Sequence, residues 1–480
     1  MKSSSLTFEK NSREALLDPE LQKALGKMGF LGARQRAVDA LPEWEQIRAA
    51  AREIKEHTLT HLDYYLEQFE SNVQKNGGHV HWCSTPEEAC QTVLEILREN
   101  DAQFVTKGKS MAGEEIGLNE ALAEHTIERL ETDLGEYIIQ LADEAPSHII
   151  APAIHKTREQ ITDLFHEHHQ AHGKSEPVTE VATIVNEARE VLRDGFLRAD
   201  AGITGGNFLI AETGSVALVT NEGNGDLTNT LPRVHIVTAG IEKVVPTLDD
   251  LSVLLRLLAR SATGQESSVY TTLTTGAKRE GDLDGPESFH VVLIDNGRSQ
   301  WLGNEFRDML RCIRCGACLN HCPVWNSIGG HAYGWVYPGP MGSVLTPLMI
   351  GLEEGKHLPN ACTMNGRCQS VCPMSIPLPD LLRKHRFRLH GQALDSPGAR
   401  LALKLWGALA VRPRLYRWLT RIGTTALGIL GGARGRFRYM PLAEGWTDSR
   451  DLPAPHGQSF VAAWQRQHKR GRKTGEEHTT

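Results

Sequence analysis

The chain has 480 residues, of which 40% are hydrophobic and 23% charged, with a formal net charge of −7. That length exceeds what one hydrophobic core usually fills, and the composition excludes a mainly disordered or membrane-embedded chain. From residue 381 onward 19 Lys and Arg face 6 Asp and Glu, so that +13 there and −20 over the first 380 residues make up the −7; an acidic body repels phosphate, which argues against nucleic acid.

Residues 1–74 are charged and helix-prone, with PEWEQIRAAAREIKEHTL spacing its apolar residues for one face. This segment is expected to be a helical arm without chemistry of its own. MKSSSLTFEK lacks the apolar core of a signal peptide, and no stretch reaches the roughly 18 apolar residues of a spanning helix, so the expected compartment is the cytoplasm.

From 75 to 300 strands alternate with helices. GGHVHWC (77–83) reads as a strand, followed by a helix opened by Thr85 as N-cap, Pro86 in the first turn and Glu88 as capping acid. FVTK (104–107) is a strand, 111–124 a helix, HIIAPA (148–153) a third strand and 157–169 a helix. NFLIAETGSVALVTNEG (207–223) predicts a hairpin turning near Thr213 and Gly214. RVHIVTAG (233–240), SSVYTTL (267–273) and FHVVLIDNG (289–297) predict further strands, with LDDLSVLLRLLARSA (248–262) a helix between them. The fold class is therefore α/β, a sheet covered on both faces that binds ligands at the carboxyl ends of its strands.

Residues 301–395 carry the cysteine motifs, and 396–480 form a basic extension with one or two helices and a polar end expected to be disordered beyond about Gln467. The basic end suits contact with a membrane surface or an acidic partner subunit.

Seven of the nine cysteines fall between 312 and 372, which points to metal and not to disulfides; Cys83 and Cys90 read as ordinary buried thiols. CIRCGACLNHCP (312–323) is a complete C-x2-C-x2-C-x3-C-P run. Structural zinc sites use separated cysteine pairs, whereas four cysteines in this spacing before a proline bind iron–sulfur clusters. The fourth cysteine of such a run ligates the other cluster. Cluster 1 accordingly takes Cys312, Cys315, Cys318 and the distant Cys372, and is expected to be [4Fe-4S]; cluster 2 takes Cys322, Cys362 and Cys368.

The second motif, CTMNGRCQSVCP (362–373), has Asn365 where a fourth thiolate would stand. Three thiolates fit a [3Fe-4S] core. A labile [4Fe-4S] with water or the Asn365 oxygen on one iron, or a site that stays empty, are the alternatives. The C-x5-C-x3-C-P spacing resembles that of the iron–sulfur subunits of succinate dehydrogenase and fumarate reductase, which implies a [3Fe-4S] beside a [4Fe-4S].

Gly-rich stretches follow the strands, but none is a G-x-G-x-x-G fingerprint opening a helix, so a nicotinamide site is not expected. Glycines 202, 205, 206, 214, 223 and 225 are expected to supply positive φ at tight turns. Lys107, Lys109, Asn221 and Asn224 are candidates to offer donors to a carboxylate or phosphate at the strand ends, and Glu212 in AETGS is a candidate carboxylate.

KGKSMAGEEIGLNEAL, ETDLGEYIIQLADEAPSHIIAPAIHKT, ETGSVALVTNEGN, the CIRCGACLNHCPV block and PLAEGWTDSRDLPAP together resemble the lactate-utilization protein B family. The resemblance implies a lactate-utilization domain of the NagB/RpiA/CoA-transferase-like fold over 75–300, followed by an α-helical ferredoxin-type domain. It further implies a three-protein system that oxidises L-lactate to pyruvate without NAD, alongside a cysteine-rich-domain protein and a second protein with the same α/β domain. In that system the chain is an electron-transfer subunit and not a complete enzyme. Two competing readings are a transferase or isomerase with structural clusters and Glu212 as nucleophile, and a scaffold whose α/β domain only binds its paralogous partner. No catalytic base or hydride acceptor is visible in the sequence.

Overall fold

In the computed structural model, which describes residues 3–26, 30–174, 176–441 and 443–474, ten strands carry the larger part of the chain. They are His79–Cys83 (β1), Phe104–Lys107 (β2), Glu128–Glu131 (β3), Ala201–Gly205 (β4), Phe208–Ile210 (β5), Ser215–Thr220 (β6), Val234–Gly240 (β7), Val244–Val245 (β8), Tyr270–Thr274 (β9) and Ser288–Ile294 (β10). Six form a sheet in the order β1-β10-β7-β4-β2-β3, parallel at every pairing. The remaining four form a second sheet, β8-β5-β6-β9, in which β5 and β6 are the antiparallel hairpin.

Side-chain alternation explains why the six-stranded sheet is covered twice. Val234 and Ile236 of β7 and Val292 and Ile294 of β10 pack with Val93 and Leu97 of the helix Pro86–Glu99. Their neighbours Val237, Ala239, Val291 and Leu293 point the other way, against Phe69 and Val73 of the helix Leu62–Lys75 and against Leu209 and Val216 of the second sheet. Burial on both faces lets a parallel strand be apolar at nearly every position.

Several local readings need correction. HIIAPA is not a strand: the amides of Ile150 and Ala151 both donate to His148 Nδ1 at 3.1 Å, and Ser147 N donates to Pro152 O at 3.0 Å, so the backbone bonds inside a loop and not to a ladder. The helix expected over 111–124 is two, Met111–Ile116 and Leu118–Glu124, because Gly117 adopts φ 75° between them. Glu88 caps the amide of Ser84, one residue before the N-cap Thr85.

β4, a central strand, was hidden inside the glycine-rich run. Of the glycines expected at positive φ, Gly214 and Gly223 have it, at 66° and 76°. Gly202, Gly205, Gly206 and Gly225 do not. Gly202 is needed for close approach instead: a Cβ there would lie 1.8 Å from Thr228 O on the helix Asn224–Thr230 packed against β4.

The contacts divide the chain into Met1–Gln392 and Ala393–Thr480. Within the first unit the N-terminal helices reach the cysteine region: Arg34 Nη2 donates to Val371 O at 2.9 Å and Arg48 Nε to Cys372 O at 2.8 Å. The second unit contains the helices Pro397–Ala410 and Pro413–Gly431, which bury almost nothing of themselves, and a short antiparallel pair of Arg436–Phe437 with Leu452–Pro453. Helix Phe460–Thr474 occupies most of the end expected to be disordered; residues 475–480 lie outside the described part. Among the described residues no helix is long and apolar enough to cross a membrane.

Candidate iron–sulfur centres and the adjoining cavity

The two cysteine motifs fold as copies of one loop. Arg314 and Met364 take φ 58° and 57°, Gly316 and Gly366 take φ 73° and 77°, and each loop runs into a four-residue helix, Ala317–Asn320 or Arg367–Ser370. Left-handed residues at matching positions turn the chain tightly enough for thiols three apart to face one point.

Cys312, Cys315, Cys318 and Cys372 line one small space, completed by apolar side chains such as Ile149 and Met341. Backbone amides of Met374 and Ile376 donate toward Cys372, and that of Ala317 toward Cys315. Cys322, Cys362 and Cys368 form a second group in mutual electrostatic reach, with the amides of Val324 and Trp325 donating toward Cys322. Burial, then the neighbouring thiols, push Cys315 and Cys368 up to about 12. Thiols so crowded and dry ionise when metal replaces their protons, and N–H groups aimed at sulfur suit the charge of an iron–sulfur cluster. Both sets of donors fit that group. None of the nine cysteines is in a disulfide; Cys83 and Cys90 are buried elsewhere, with Cys90 Sγ 3.3 Å from Ile116 O.

Asn365 occupies the place in the second loop that Cys315 holds in the first, but its side chain is exposed and Oδ1 accepts from Arg367 N at 3.0 Å. The amide completes an Asx turn that leads into the following helix.

Next to cluster 1, over the carboxyl ends of β2, β4 and β7, lies a cavity of about 570 Å³. Arg314 and Ile149 belong to both walls and separate the cavity from the thiols of cluster 1. The loop 149–154, held by Lys109 Nζ donating to Ile150 O at 3.0 Å, covers one side. The other side is charged. Glu242 Oε2 pairs with Arg298 Nε at 2.7 Å and Oε1 with Arg314 Nη2 at 3.1 Å, while Arg298 also grips Glu115 through Nη1 and Nη2 at 2.8 and 2.7 Å. Burial opposes the charge on Glu242, yet the two arginines hold its carboxyl down at about 2. Burial, followed by Arg314, pushes Lys243 down to about 8.

Comparison with known proteins finds three family profiles along the chain. The LUD domain profile matches residues 66–294, the 4Fe-4S dicluster domain 308–376, and the profile of lactate utilisation protein B, C-terminal, 383–469. Lactate utilization protein B of Shouchella clausii is 45% identical over 98% of this chain and 99% of its own. The one from Bacillus thuringiensis is 46% identical over 91% and 92%. The chain belongs to the lactate utilization protein B family. An Escherichia coli relative described as uncharacterized electron transport protein YkgF is 42% identical over 99% of this chain and 100% of its own. Among solved structures, a DUF162 family protein from Deinococcus radiodurans matches 48% of the chain at 15% identity and a TM-score of 0.28.

In this lactate utilization protein B family member the candidates read from sequence separate into three groups. Lys109, Asn221 and Asn224 line the cavity. Lys109 Nζ is paired with Asp133 at 2.9 Å and Asn221 is braced by Gln265 and Val269, so these two mainly shape the walls. Lys107 lies beneath the cavity, fully buried between Glu114 and Glu131 at 2.9 Å each; burial works against its charge, but these carboxylates raise its pKa on balance. Glu212 lies outside: it is exposed and accepts from Leu248 N at 3.1 Å at the start of the helix Leu248–Ala262.

The charged wall was missed. Its signal is positional: Glu242 and Lys243 follow β7 directly, Arg298 follows the turn after β10, and Arg314 sits inside the first cysteine run. Charges placed just beyond the carboxyl ends of buried parallel strands are where such a sheet presents its site.

Proposed function

We propose that this chain is the iron–sulfur electron-transfer subunit of an NAD-independent system that oxidises L-lactate to pyruvate. The observation that carries the reading is the shared wall of Arg314 and Ile149, which puts a ligand-sized cavity directly against the thiols of cluster 1. The names of the relatives, lactate utilization protein B and an electron transport protein, support it. When bound, the clusters supply one-electron transfer; this chain's own residues hold the thiolates, shield them from water and set the local charge. Its partners are a cysteine-rich-domain protein and a second protein with the same α/β domain.

We read cluster 1 as [4Fe-4S] and cluster 2 as [3Fe-4S], because Asn365 is turned away into its own loop. The parallel sheet with helices on both faces supports a NagB/RpiA/CoA-transferase-like fold, and the short helices after each motif support a helical ferredoxin-type module. Free thiols clustered this densely suit the reducing cytoplasm. The basic second unit, with its exposed tryptophans, suits contact with an anionic membrane surface. Glu212 lies away from the cavity, so the transferase reading loses the nucleophile it named.

The test is to purify the chain anaerobically with its partners, add L-lactate, and follow the visible absorbance of the clusters. Bleaching with pyruvate formed in proportion is expected. Clusters that bleach fully with dithionite but not with lactate would remove lactate as the electron source. For cluster 2, Asn365→Cys is expected to raise bound iron from about seven to about eight per chain and to abolish the paramagnetic signal of an oxidised three-iron core. An unchanged iron count of about eight in both proteins would show a four-iron cluster from the start.

A further inference from the structure

Two buried polar atoms of the cavity beside cluster 1 have no hydrogen-bond partner among the described residues. Arg314 is only 9% exposed, donates through Nη2 to Glu242 and lies 5.1 Å from the ring centroid of Tyr337, yet its buried Nη1 has no hydrogen-bond partner. Asn224, also 9% exposed, has a buried Oδ1 with no donor. Leaving such groups unsatisfied is costly, and they are satisfied when a ligand brings the complementary atoms. Lys243 adds a second cation on the same wall, and no hydrogen bond to a described residue occupies its ammonium group. Glu242, the nearest carboxylate, is already committed to Arg298 and Arg314.

The inventory is chemically specific. Two cationic donors face a space lined by aliphatic side chains such as Ile149 and Leu258 and by polar ones, in which Asp133 is already paired with Lys109, and one neutral acceptor awaits a hydroxyl or amide hydrogen. We infer that the cavity binds a short 2-hydroxycarboxylate, its carboxylate on Arg314 Nη1 and Lys243 Nζ and its hydroxyl donating to Asn224 Oδ1. This inference rests on the lactate-linked reading above and extends it by placing the acid in this chain, one side chain away from cluster 1. The cavity is larger than a three-carbon acid fills, so the acid occupies the cationic end and leaves the rest to water or to a group contributed by a partner. Arg314 gives the site a direct mechanical link to the cluster, since its backbone stands between Cys312 and Cys315.

The experiment uses the full chain, isolated anaerobically with its clusters, without partners. Calorimetric titration with L-lactate is expected to show saturable binding, with propionate, which lacks the hydroxyl, and inorganic phosphate binding at least about tenfold more weakly. Lys243→Met is expected to weaken L-lactate about 10- to 100-fold and Lys243→Arg to restore most of it. Asn224→Leu is expected to erase the preference for lactate over propionate. Cluster absorbance and far-ultraviolet circular dichroism identify any variant that fails to fold, and the comparison of acids on the wild-type chain does not depend on variants. No saturable binding, phosphate binding as tightly as lactate, or Lys243→Met binding like wild type would overturn the site. If the isolated chain binds lactate but the clusters of the complex do not bleach, the electron-transfer reading fails and the site stands. If the complex bleaches while the isolated chain binds nothing, the site fails and the reading stands.

Discussion

Arg314 Nη2 donates to Glu242 Oε1 across 3.1 Å, joining the loop of cluster 1 to the end of the central strand β7. Glu242 also holds Arg298, which in turn grips Glu115, and Tyr337 Oη donates to the same Glu115 at 2.7 Å. One buried carboxylate thus couples the α/β domain to the iron–sulfur module. Glu242→Gln keeps the volume but removes the charge that two buried guanidiniums share, and breaking such a network is expected to cost about 3–5 kcal/mol. The denaturant midpoint of the anaerobic protein measures this. A loss below about 1 kcal/mol would mean that water reaches the arginines and that the coupling is weak.

How much of this was legible in the sequence depends on the range of the signal. The cysteine spacing within each motif is local, and a tight turn fixes it, so the two loops were legible from the motifs alone. The strands β7 and β10 and the helix 248–262 were legible because their apolar runs are long and bounded by turn residues, and β1 and β2 because short stretches of β-branched and aromatic residues stand between helical ones. β4 was not, since AGITG has the composition of a loop; pairing with β2 on one side and β7 on the other makes it a strand, and the close helix Asn224–Thr230 requires the glycine at 202. HIIAPA failed for the opposite reason: it has strand composition, but the His148 ring accepts both amides that a ladder would use. The Glu242, Arg298 and Arg314 network was invisible because its members lie 16 to 72 residues apart and meet only across the sheet's end.

The crossed ligand sets give opposite outcomes for two cysteines that each stand two residues beyond the end of a four-residue helix. Cys372 shares its space with the first motif, although 54 residues separate it from Cys318. Cys372→Ser is therefore expected to remove or degrade cluster 1 while leaving the cluster 2 signal, and Cys322→Ser to do the reverse. Iron content together with the paramagnetic spectra of oxidised and reduced protein distinguishes them. Loss of the same cluster in both variants would refute the crossed assignment.

Acid stability follows from histidines buried in neutral form. Burial, and for His235 also the neighbouring His290, push His148 down to about 4 and His235 down to about 3. His148 Nδ1 accepts from two backbone amides, which leaves its proton on Nε2 facing Asn320 Oδ1 at 3.1 Å. Because the folded pKa is depressed, the unfolded chain binds protons first as pH falls below the usual value near 6.5. Stability is thus fully present above about pH 6.5 and declines toward pH 4, by up to about 1.4 kcal/mol per pH unit for each such histidine. Denaturant titrations at pH 7.5 and 5 check the slope, and His235→Gln should flatten it. An equal slope in the variant would assign the acid sensitivity to other groups.

The helices of the second unit explain why the basic end is also apolar. Leu415, Leu419, Ile422 and Leu430 recur at helical spacing along Pro413–Gly431 and are exposed, with Arg414, Arg417 and Arg421 between them; Trp406 and Trp418 are 61% and 59% exposed. No acidic residue occurs between Asp395 and Glu444. An apolar stripe edged by arginines and carrying indole rings matches the boundary of an anionic bilayer, where the rings sit at headgroup depth and the cations meet lipid phosphate. The full chain is expected to sediment with vesicles containing phosphatidylserine or phosphatidylglycerol and not with phosphatidylcholine vesicles, and to be released by salt. Each arginine near such a surface contributes about 1 kcal/mol, so replacing Arg414, Arg417 and Arg421 by Ser should weaken partitioning roughly 100-fold. Replacing Trp406 and Trp418 by Ser should weaken it without changing the salt dependence, because that part of the attraction is not electrostatic. Wild-type protein that ignores anionic vesicles at low salt would assign the stripe to a protein partner instead.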